Sequence, residues 1–452
     1  MTKGNQSASK ISDAPAGDKS LGVWTCTALV VGNVVGSGFF LAPAALAPYG
    51  SVAVIGWIVM SVGALCLGLV FARLSRIAPE TGGPYAYARL GFGDFAGFLV
   101  AWGYWISIWA ALPAIAIAAT DYLQVFIPAL KGSPGMKAII SLGLIIGVAC
   151  LNLAGTKEAG RFQLIVVGLK LVPFMAVSIL GLFWVDWEQF TPVNPTPMSF
   201  FLALAATAPF IMFAFSGVES ATVPAGDVKN PQKTIAIATI AGTLIAAALY
   251  TFGTVSVMGV MGRSALEHSS APFSDAADLM WGSWAKYVIA AAAVLSSLAA
   301  LNGWTMVMGM VPLAAARHGL LPPVFAELSS KNVPAKGITI SVTLAVATLM
   351  LQSSGSKALI SIYEFVVRLS TVSDMVPYVF CCFAEAIILL VLGKRQGYLN
   401  PKTYLPVAAI AFLFSMVTIF GAGAEAAMWG LLLLLTGLPV YVLIRTKWTG
   451  EN

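Results

Sequence analysis

Charge is what this chain has least of. Among 452 residues only 10% are Asp, Glu, Lys or Arg, where soluble domains carry about 25%. So little charge cannot clothe a water-facing surface, which excludes an ordinary soluble domain. Histidine is nearly missing: His268 and His318 stand alone, in loops that the apolar pattern puts on opposite sides. The five cysteines (Cys26, Cys66, Cys150, Cys381 and Cys382) all fall in apolar runs without metal-ligand spacing, and read as buried, inert thiols. These shortages leave no metal site and no nucleophile–base constellation, so no enzyme is expected and no cofactor is implied. A Gly-rich phosphate loop is also missing, which argues against an ATP-driven pump.

What the chain has instead is long apolar runs, with 59% hydrophobic residues. Twelve segments of spanning length start near Thr25, Ser51, Phe95, Lys137, Phe162, Phe200, Thr234, Ala285, Gly337, Leu359, Tyr404 and Ala426. About twenty residues cross the hydrocarbon core, so the lipid bilayer is the first partner. The formal net charge of +6 does not mark a nucleic-acid partner, because the basic residues are sorted by side. With a cytoplasmic N-terminus, the tails and the loops on that face carry most of them, Lys3, Arg73, Arg76, Arg89, Lys157, Arg161, Lys229 and Arg317 among them. The opposite face has Lys131, Lys137, Arg263, Lys286 and Lys357. This positive-inside pattern predicts both termini in the cytoplasm. The polar start of the chain has no signal-peptide layout and is expected to be a disordered tail over 1–21.

Two of the apolar runs are interrupted by small residues. The first reads Val35-Gly36-Ser37-Gly38 inside the run from Thr25 to Ala47; the second reads Ser216-Gly217-Val218-Glu219 inside the run from Phe200 to Val223. A break at membrane depth frees N–H and C=O groups that lipid cannot satisfy, so it survives only beside a polar cavity or a ligand. Matching breaks in two halves are a sequence pointer to a transporter binding site. The alternative is a close-packing contact between helices, although one residue between glycines is not the usual spacing for that. Segments one to five and six to ten have the same rhythm. Five spans is an odd number, so the second half must be inverted. The expected organisation is a single transmembrane domain over 22–445, with repeat one at 22–185, repeat two at 199–394, extra helices at 403–445 and a cytoplasmic tail at 446–452.

At this level of detail the motifs resemble a known family. Val31-Gly-Asn-Val-Val-Gly-Ser-Gly38 is similar to the first-helix signature of the amino acid–polyamine–organocation superfamily. Gly82-Gly83-Pro84-Tyr85-Ala86-Tyr87-Ala88-Arg89, Phe215-Ser-Gly-Val-Glu-Ser220, Lys229-Asn-Pro231 and Asn302-Gly303-Trp304 match further stretches in one register. The likeness is to bacterial arginine/agmatine antiporters of the basic amino acid/polyamine branch. It implies an all-α membrane protein with twelve transmembrane helices, a LeuT-like 5+5 inverted repeat with discontinuous first and sixth helices, and two added C-terminal helices. It also implies a place in the bacterial inner membrane and an amino acid or amine as substrate. The resembling antiporters are homodimers, although no interface is readable here.

An amino acid brings a carboxylate and an ammonium into the membrane. Backbone N–H groups at Gly36, Ser37 and Gly38, at the positive end of the following half-helix, suit the carboxylate. Carbonyls freed around Ser216 and Gly217 suit the ammonium. The resemblance implies that Trp304 stacks on the substrate side chain, the alternative being a packing or interfacial tryptophan. Phe213 stands where the resembling antiporters have a gating tryptophan; it blocks by size but has no indole donor. Tyr104 and Tyr378 match aromatic gate positions and would close the two sides alternately, unless they are interfacial belt residues.

Acids in or near spans are Asp121, Glu219, Glu364, Asp374 and Glu385, each costly enough to be a functional candidate. Glu219, at the second break, is the leading one for proton coupling. Glu364 and Arg368, four apart on one helix face, read as a structural pair. The face of Asp374 is left open. Lys170 either snorkels to the interface or, as in related carriers, replaces a sodium ion and ties the two halves together, which makes it a second coupling candidate. Where arginine/agmatine carriers place polar groups in the third helix, this chain has Ile108 and Leu112 beside Ser107. Buried donors without acceptors cost about 1–3 kcal/mol each, so the substrate is a smaller or more apolar amino acid, or Asp374 and Ser370 compensate. The expected function is secondary active amino-acid transport by alternating access, as exchange of an amino acid for an amine or another amino acid. The alternative is proton-coupled symport of a neutral or small amino acid.

Overall fold

The computed structural model describes residues 22–77, 83–155, 170–219, 228–353, 359–392 and 401–449. Over these the chain is helical, and no strand occurs among the described residues. The first interrupted rod is α1 (Val23–Val34) and α2 (Ser37–Leu46). Then come α3 (Ser51–Ile77), the short α4 (Pro84–Phe92), α5 (Asp94–Leu123), α6 (Pro134–Ala154) and α7 (Lys170–Trp184). The second interrupted rod opens with α8 (Phe200–Phe215). Beyond it lie α9 (Pro231–Met261), the short α10 (Arg263–Glu267) and α11 (Pro272–Trp281), and the long α12 (Ser283–Arg317). The chain ends in α13 (Ala335–Ser353), α14 (Leu359–Ile387), α15 (Pro401–Gly421), α16 (Ala424–Leu435) and α17 (Gly437–Thr449). The last helix therefore runs past 445, where a tail was expected to begin.

Among the described residues, eight helices are long and apolar enough to cross a membrane by length and composition, against the twelve spans read from the sequence. The shortfall lies in α1, α2, α7, α8 and α13, which are apolar but short. Two of these rods are broken by design of the sequence, and the segment expected from Phe162 begins in residues 156–169, outside those described. The expected N-terminal tail, Gly82, Lys157, Arg161 and Ser220 also lie outside them.

Burial sorts the helices into a centre and a rim. The apolar window of α5 is 89% buried, whereas that of α16 and α17 is only 11% buried. α5 packs along both α12 and α14, and α3 packs along α9. The outer helices turn Leu413, Phe420, Leu431 and Leu443 outward, the arrangement expected of lipid-facing surface. Cys150 on α6 is exposed, so it belongs to this rim rather than to the core; the other four thiols are buried. Prolines sit inside α2, α5, α8, α12, α14 and α15 without ending them. Pro209 has no N–H to give the carbonyl four residues back. That carbonyl belongs to Ala205, and Gly421 of α15 rests directly against it.

Two charge assignments change. Arg73 is no loop residue: it is buried in α3 and makes a two-pronged ion pair with Glu385 of α14, with its guanidinium 4.9 Å from the Tyr404 ring centroid. A partner carboxylate inside the bundle outweighs snorkelling to water for this side chain. Glu364 and Arg368 do share a face, but no ion pair within 4 Å joins them among the described residues. Arg368 instead lies over the Phe210 ring at 4.8 Å, a cation–π contact that its position one helix away favours. Asp121 is matched by Lys137 across α5 and α6 at 2.7 Å.

The contact at Gly421 yields a stability test. Gly421→Val forces a side chain into the Ala205 carbonyl, and overpacking of this kind costs about 1–3 kcal/mol. The detergent-solubilised variant should melt several degrees below wild type. Gly143→Ala on α6, where nothing lies within 4 Å, should melt with wild type.

Candidate functional site

The break between α1 and α2 is held open by three side chains from other helices. Val35 leaves the helical conformation (φ −76°, ψ 85°), and Gly36 is extended before α2 starts at Ser37. Three of the carbonyls on the α1 side, those of Gly32, Val34 and Val35, are engaged. Lys170 of α7, fully buried, donates to the Gly32 and Val35 oxygens, each at 2.6 Å. Ser296 of α12 donates to the Val35 oxygen at 3.1 Å. The Tyr250 hydroxyl of α9 shares its proton between the Val34 carbonyl at 2.6 Å and the Ala214 carbonyl of α8 at 3.0 Å. Lys170 therefore does not snorkel; it fills the pocket of oxygens at the break. Val35 serves through its carbonyl and does not line the cavity described below. The Ser37 side chain lies outside those described.

The second break follows α8 as a turn through Ser216, Gly217, Val218 and Glu219. Gly217 has φ +106°, a left-handed conformation that favours glycine. The turn is tied to α5 and α14 by three hydrogen bonds. Ser216 Oγ donates to Asp374 Oδ2 at 2.7 Å. Tyr104 and Tyr378 donate to the two oxygens of Glu219, at 2.5 and 2.6 Å. All three partners are buried, Glu219 completely. Tyr104 and Tyr378 thus form one clasp around a single carboxylate rather than two gates on opposite sides. Tyr104 lies one turn before Ser107 on α5, and Tyr378 one turn after Asp374 on α14, so the antiparallel helices bring both rings to the same level.

Between the two breaks lies a small cavity of about 30 Å³, room for a water or two as it stands. Gly36 and Gly38 of the first rod face Phe213 and Ser216 of the second across it. α12 adds Trp304 and Ala300, α14 adds Ser370 and Asp374, and α5 adds Ser107, Ile108, Ala111 and Ile115. Gly38 has a second duty. A Cβ there would come within 2.8 Å of the Ala214 Cα, so the close approach of the two rods also depends on it. The packing reading of this glycine holds, and the same residue lines the cavity.

The polar groups gather at the clasp end. Ser107 Oγ donates to the Tyr104 carbonyl at 2.8 Å and lies 3.4 Å from Asp374 Oδ1. Ser370 Oγ donates to the Ser107 carbonyl at 2.9 Å, so its proton is committed and it remains an acceptor. The other end is apolar, with Ile115 and Ala111. No group of residues suited to a metal ion occurs among the described residues. His318 meets the Tyr85 hydroxyl at 2.9 Å, far along the chain from His268, whose Nδ1 lies 2.9 Å from the Ser264 carbonyl.

Of the residues singled out from sequence, Gly36, Gly38, Ser107, Ile108, Phe213, Ser216, Trp304 and Ser370 line the cavity. Leu112 is buried but turned away from it, because the α5 face that looks inward runs through 108, 111 and 115. Gly217 and Glu219 stand just beyond it, in the turn and the clasp. Sequence reasoning missed Val34, Ala111, Ile115 and Ala300, which have no chemical signature. The α5 pair was nonetheless readable as Ile108 plus one and two helical turns. It also missed Tyr250, an unremarkable aromatic in an apolar helix, although that residue bonds both rods.

Comparison with known proteins agrees with this geometry. A family model described as amino acid permease matches residues 21–434. A cadaverine/lysine antiporter of Escherichia coli K12 is 32% identical over 372 residues, 80% of this chain and 82% of that protein. The putrescine transporter PotE of Haemophilus influenzae is 29% identical over 433 residues, covering 96% and 98% of the two chains. Its Escherichia coli K12 counterpart is 28% identical over 438 residues, covering 97% and 99%. With a match that spans the bundle from α1 to α16, the chain belongs to the amino acid permease family, in its basic amino acid/polyamine antiporter branch.

Proposed function

We propose that this protein is a secondary active transporter of the bacterial inner membrane that exchanges an amino acid for an amine by alternating access. The observation that carries the reading is the cavity where the two helix breaks meet, enclosed by Trp304 and Phe213 and ending at Asp374. In this reading the twelve spans form a 5+5 inverted repeat, with α1–α2 and α8 with its turn as the discontinuous helices and α15 to α17 outside the repeat. Both termini are cytoplasmic in this reading, which the distribution of basic residues supports.

The α2 N-terminus at Gly36–Gly38 receives the substrate carboxylate, since helix N-termini offer N–H groups and a positive dipole end. Trp304 and Phe213 cover the aliphatic part, and Ile108, Ala111 and Ile115 pack along it. In this reading Asp374 meets a terminal ammonium and so compensates for the aliphatic α5 wall. That wall suits a methylene chain ending in an ammonium better than a guanidinium, which needs several acceptors. The named substrates of the relatives, lysine, cadaverine and putrescine, have this form. Tyr104, Tyr378 and Glu219 close the cavity on one side, and Lys170 holds the first break in place of a diffusible cation. A proton-coupled symporter of neutral amino acids is the second reading, favoured by two buried ionisable groups at the breaks, Lys170 and Glu219.

Two outcomes follow. Proteoliposomes preloaded with cadaverine should take up labelled lysine at least tenfold faster than empty vesicles. Equal rates in empty vesicles under a pH gradient would sink the exchange reading in favour of symport. Trp304→Leu removes the aromatic face over the substrate and should raise the KM for exchange roughly tenfold, about 1.4 kcal/mol, with little change in the melting temperature of the unliganded protein. An unchanged KM would remove Trp304 from the site.

A further inference from the structure

Asp374 holds a position that substrate binding alone does not explain. Its side chain is buried at 2% exposure and it lines the cavity. No basic side chain of the described residues pairs with it, whereas Asp121 has Lys137 and Glu385 has Arg73. Its short bond is the one from Ser216 at 2.7 Å, with Ser107 at 3.4 Å. A carboxylate inside a membrane protein calls for a cation, and here the space beside it is the cavity.

The Ser216 bond is also one of the ties that fasten the second break. Ser216 and Glu219 are three residues apart in one turn, and that turn reaches α5 and α14 through Ser216–Asp374, Tyr104–Glu219 and Tyr378–Glu219. On the other side of the tie, Tyr378 stands one helical turn from Asp374, and Ser107 binds the backbone of Tyr104 at 2.8 Å. Whatever occupies the Asp374 carboxylate therefore acts on a group directly linked to the clasp. Resting on the carrier reading above, we propose that Asp374 passes the charge of the substrate to the clasp. An ammonium in the cavity takes the Asp374 oxygen that Ser216 holds, because a cation outcompetes a neutral hydroxyl for a carboxylate. Release of Ser216 frees the turn that carries Glu219, and the two tyrosines lose their shared acceptor. A neutral amino acid of the same length leaves Ser216 in place, so the clasp opens for a cationic substrate and stays shut for its uncharged counterpart. Selectivity is then exercised at opening as well as at binding.

The protein contains its own reporter. Cys381 lies three residues past Tyr378 on α14, fully buried, with its thiol donating to the Pro84 carbonyl at 3.4 Å. In a variant with Cys26, Cys66, Cys150 and Cys382 replaced by alanine, the alkylation rate of Cys381 by N-ethylmaleimide in proteoliposomes reads the opening of the clasp. Lysine or cadaverine should raise that rate at least fivefold, and norleucine, which is lysine without its terminal ammonium, should leave it unchanged. Asp374→Asn keeps the shape and the Ser216 contact but not the charge. It should abolish the response to lysine and lower the lysine-to-norleucine exchange ratio at least tenfold, and Asp374→Glu should restore part of both. The exchange ratio is also measured with all native cysteines present, so the result does not depend on the substituted background folding well. Wild-type selectivity in Asp374→Asn, or a Cys381 rate indifferent to lysine in the otherwise native site, overturns the inference and leaves the carrier reading standing. Vesicles that exchange no amino acid or amine at all would overturn the carrier reading itself.

Discussion

A helix that stops inside a bilayer leaves amide hydrogens and carbonyl oxygens that lipid cannot bond, and the arrangement of this bundle around α1 and α8 answers that requirement. At the first break the oxygens of Gly32, Val34 and Val35 are taken by Lys170, Tyr250 and Ser296, from three different helices. Three of the freed carbonyls are thereby satisfied by the protein itself. The N–H side, at Gly36 and Gly38, opens on the cavity. The division is what an anion-binding site needs, since acceptors near a carboxylate would repel it. A fixed ammonium at Lys170 is the economical way to achieve it, because one group meets two oxygens and stays in place when the cavity empties.

The two rods are not independent. Tyr250 bonds the Val34 and Ala214 carbonyls together, and Gly38 allows the backbones at 38 and 214 to touch. Against this paired unit stand α5 and α14, which supply Ser107, Ile108, Ser370 and Asp374 to the cavity and Tyr104 and Tyr378 to the clasp. The polar contacts between the two bodies are not confined to the clasp: Tyr122 of α5 donates to the Phe40 carbonyl of α2 at 3.0 Å, and Thr371 of α14 donates to the Pro209 carbonyl of α8 at 3.1 Å. A relative movement of the bodies therefore has to break hydrogen bonds at several levels of the bundle.

Much of this was legible in the sequence because membrane depth removes alternatives. A Gly-Ser-Gly interruption in an apolar run has few explanations, and both rods broke where their small residues stood. The cavity residues of α12 and α8 were legible for a similar reason, since Trp304 and Phe213 follow recognisable motifs. What stayed hidden depended on side-chain direction. Asp374 differs from Glu385 on the same helix by three turns, and nothing local says that one meets a cavity and the other Arg73. Leu112 and Ile108 are one turn apart on α5, yet only Ile108 faces inward. For the tyrosines, a matching position did not reveal that both hydroxyls bond one carboxylate, Glu219. Twelve spans were counted and eight found whole among the described residues; hydropathy averaged across the two breaks, while the helices at 170–184 and 335–353 are unbroken but short.

The composition of α14 has a consequence for how the protein is made. Along this one helix lie Glu364, Arg368, Asp374 and Glu385, with Ser370, Thr371 and Ser373 between them. Charged residues near the middle of a segment each oppose transfer from the translocon by about 2.5–3.5 kcal/mol, so α14 is poorly suited to partition into lipid on its own. The groups that receive its polar face, Arg73 on α3, Tyr104 and Ser107 on α5, and Ser216 and Glu219 after α8, all precede it in the chain. Its entry during synthesis is thus assisted by helices already waiting in the membrane. The order of elements along the gene then doubles as an order of assembly, in which a span bearing four charged residues arrives after its hosts.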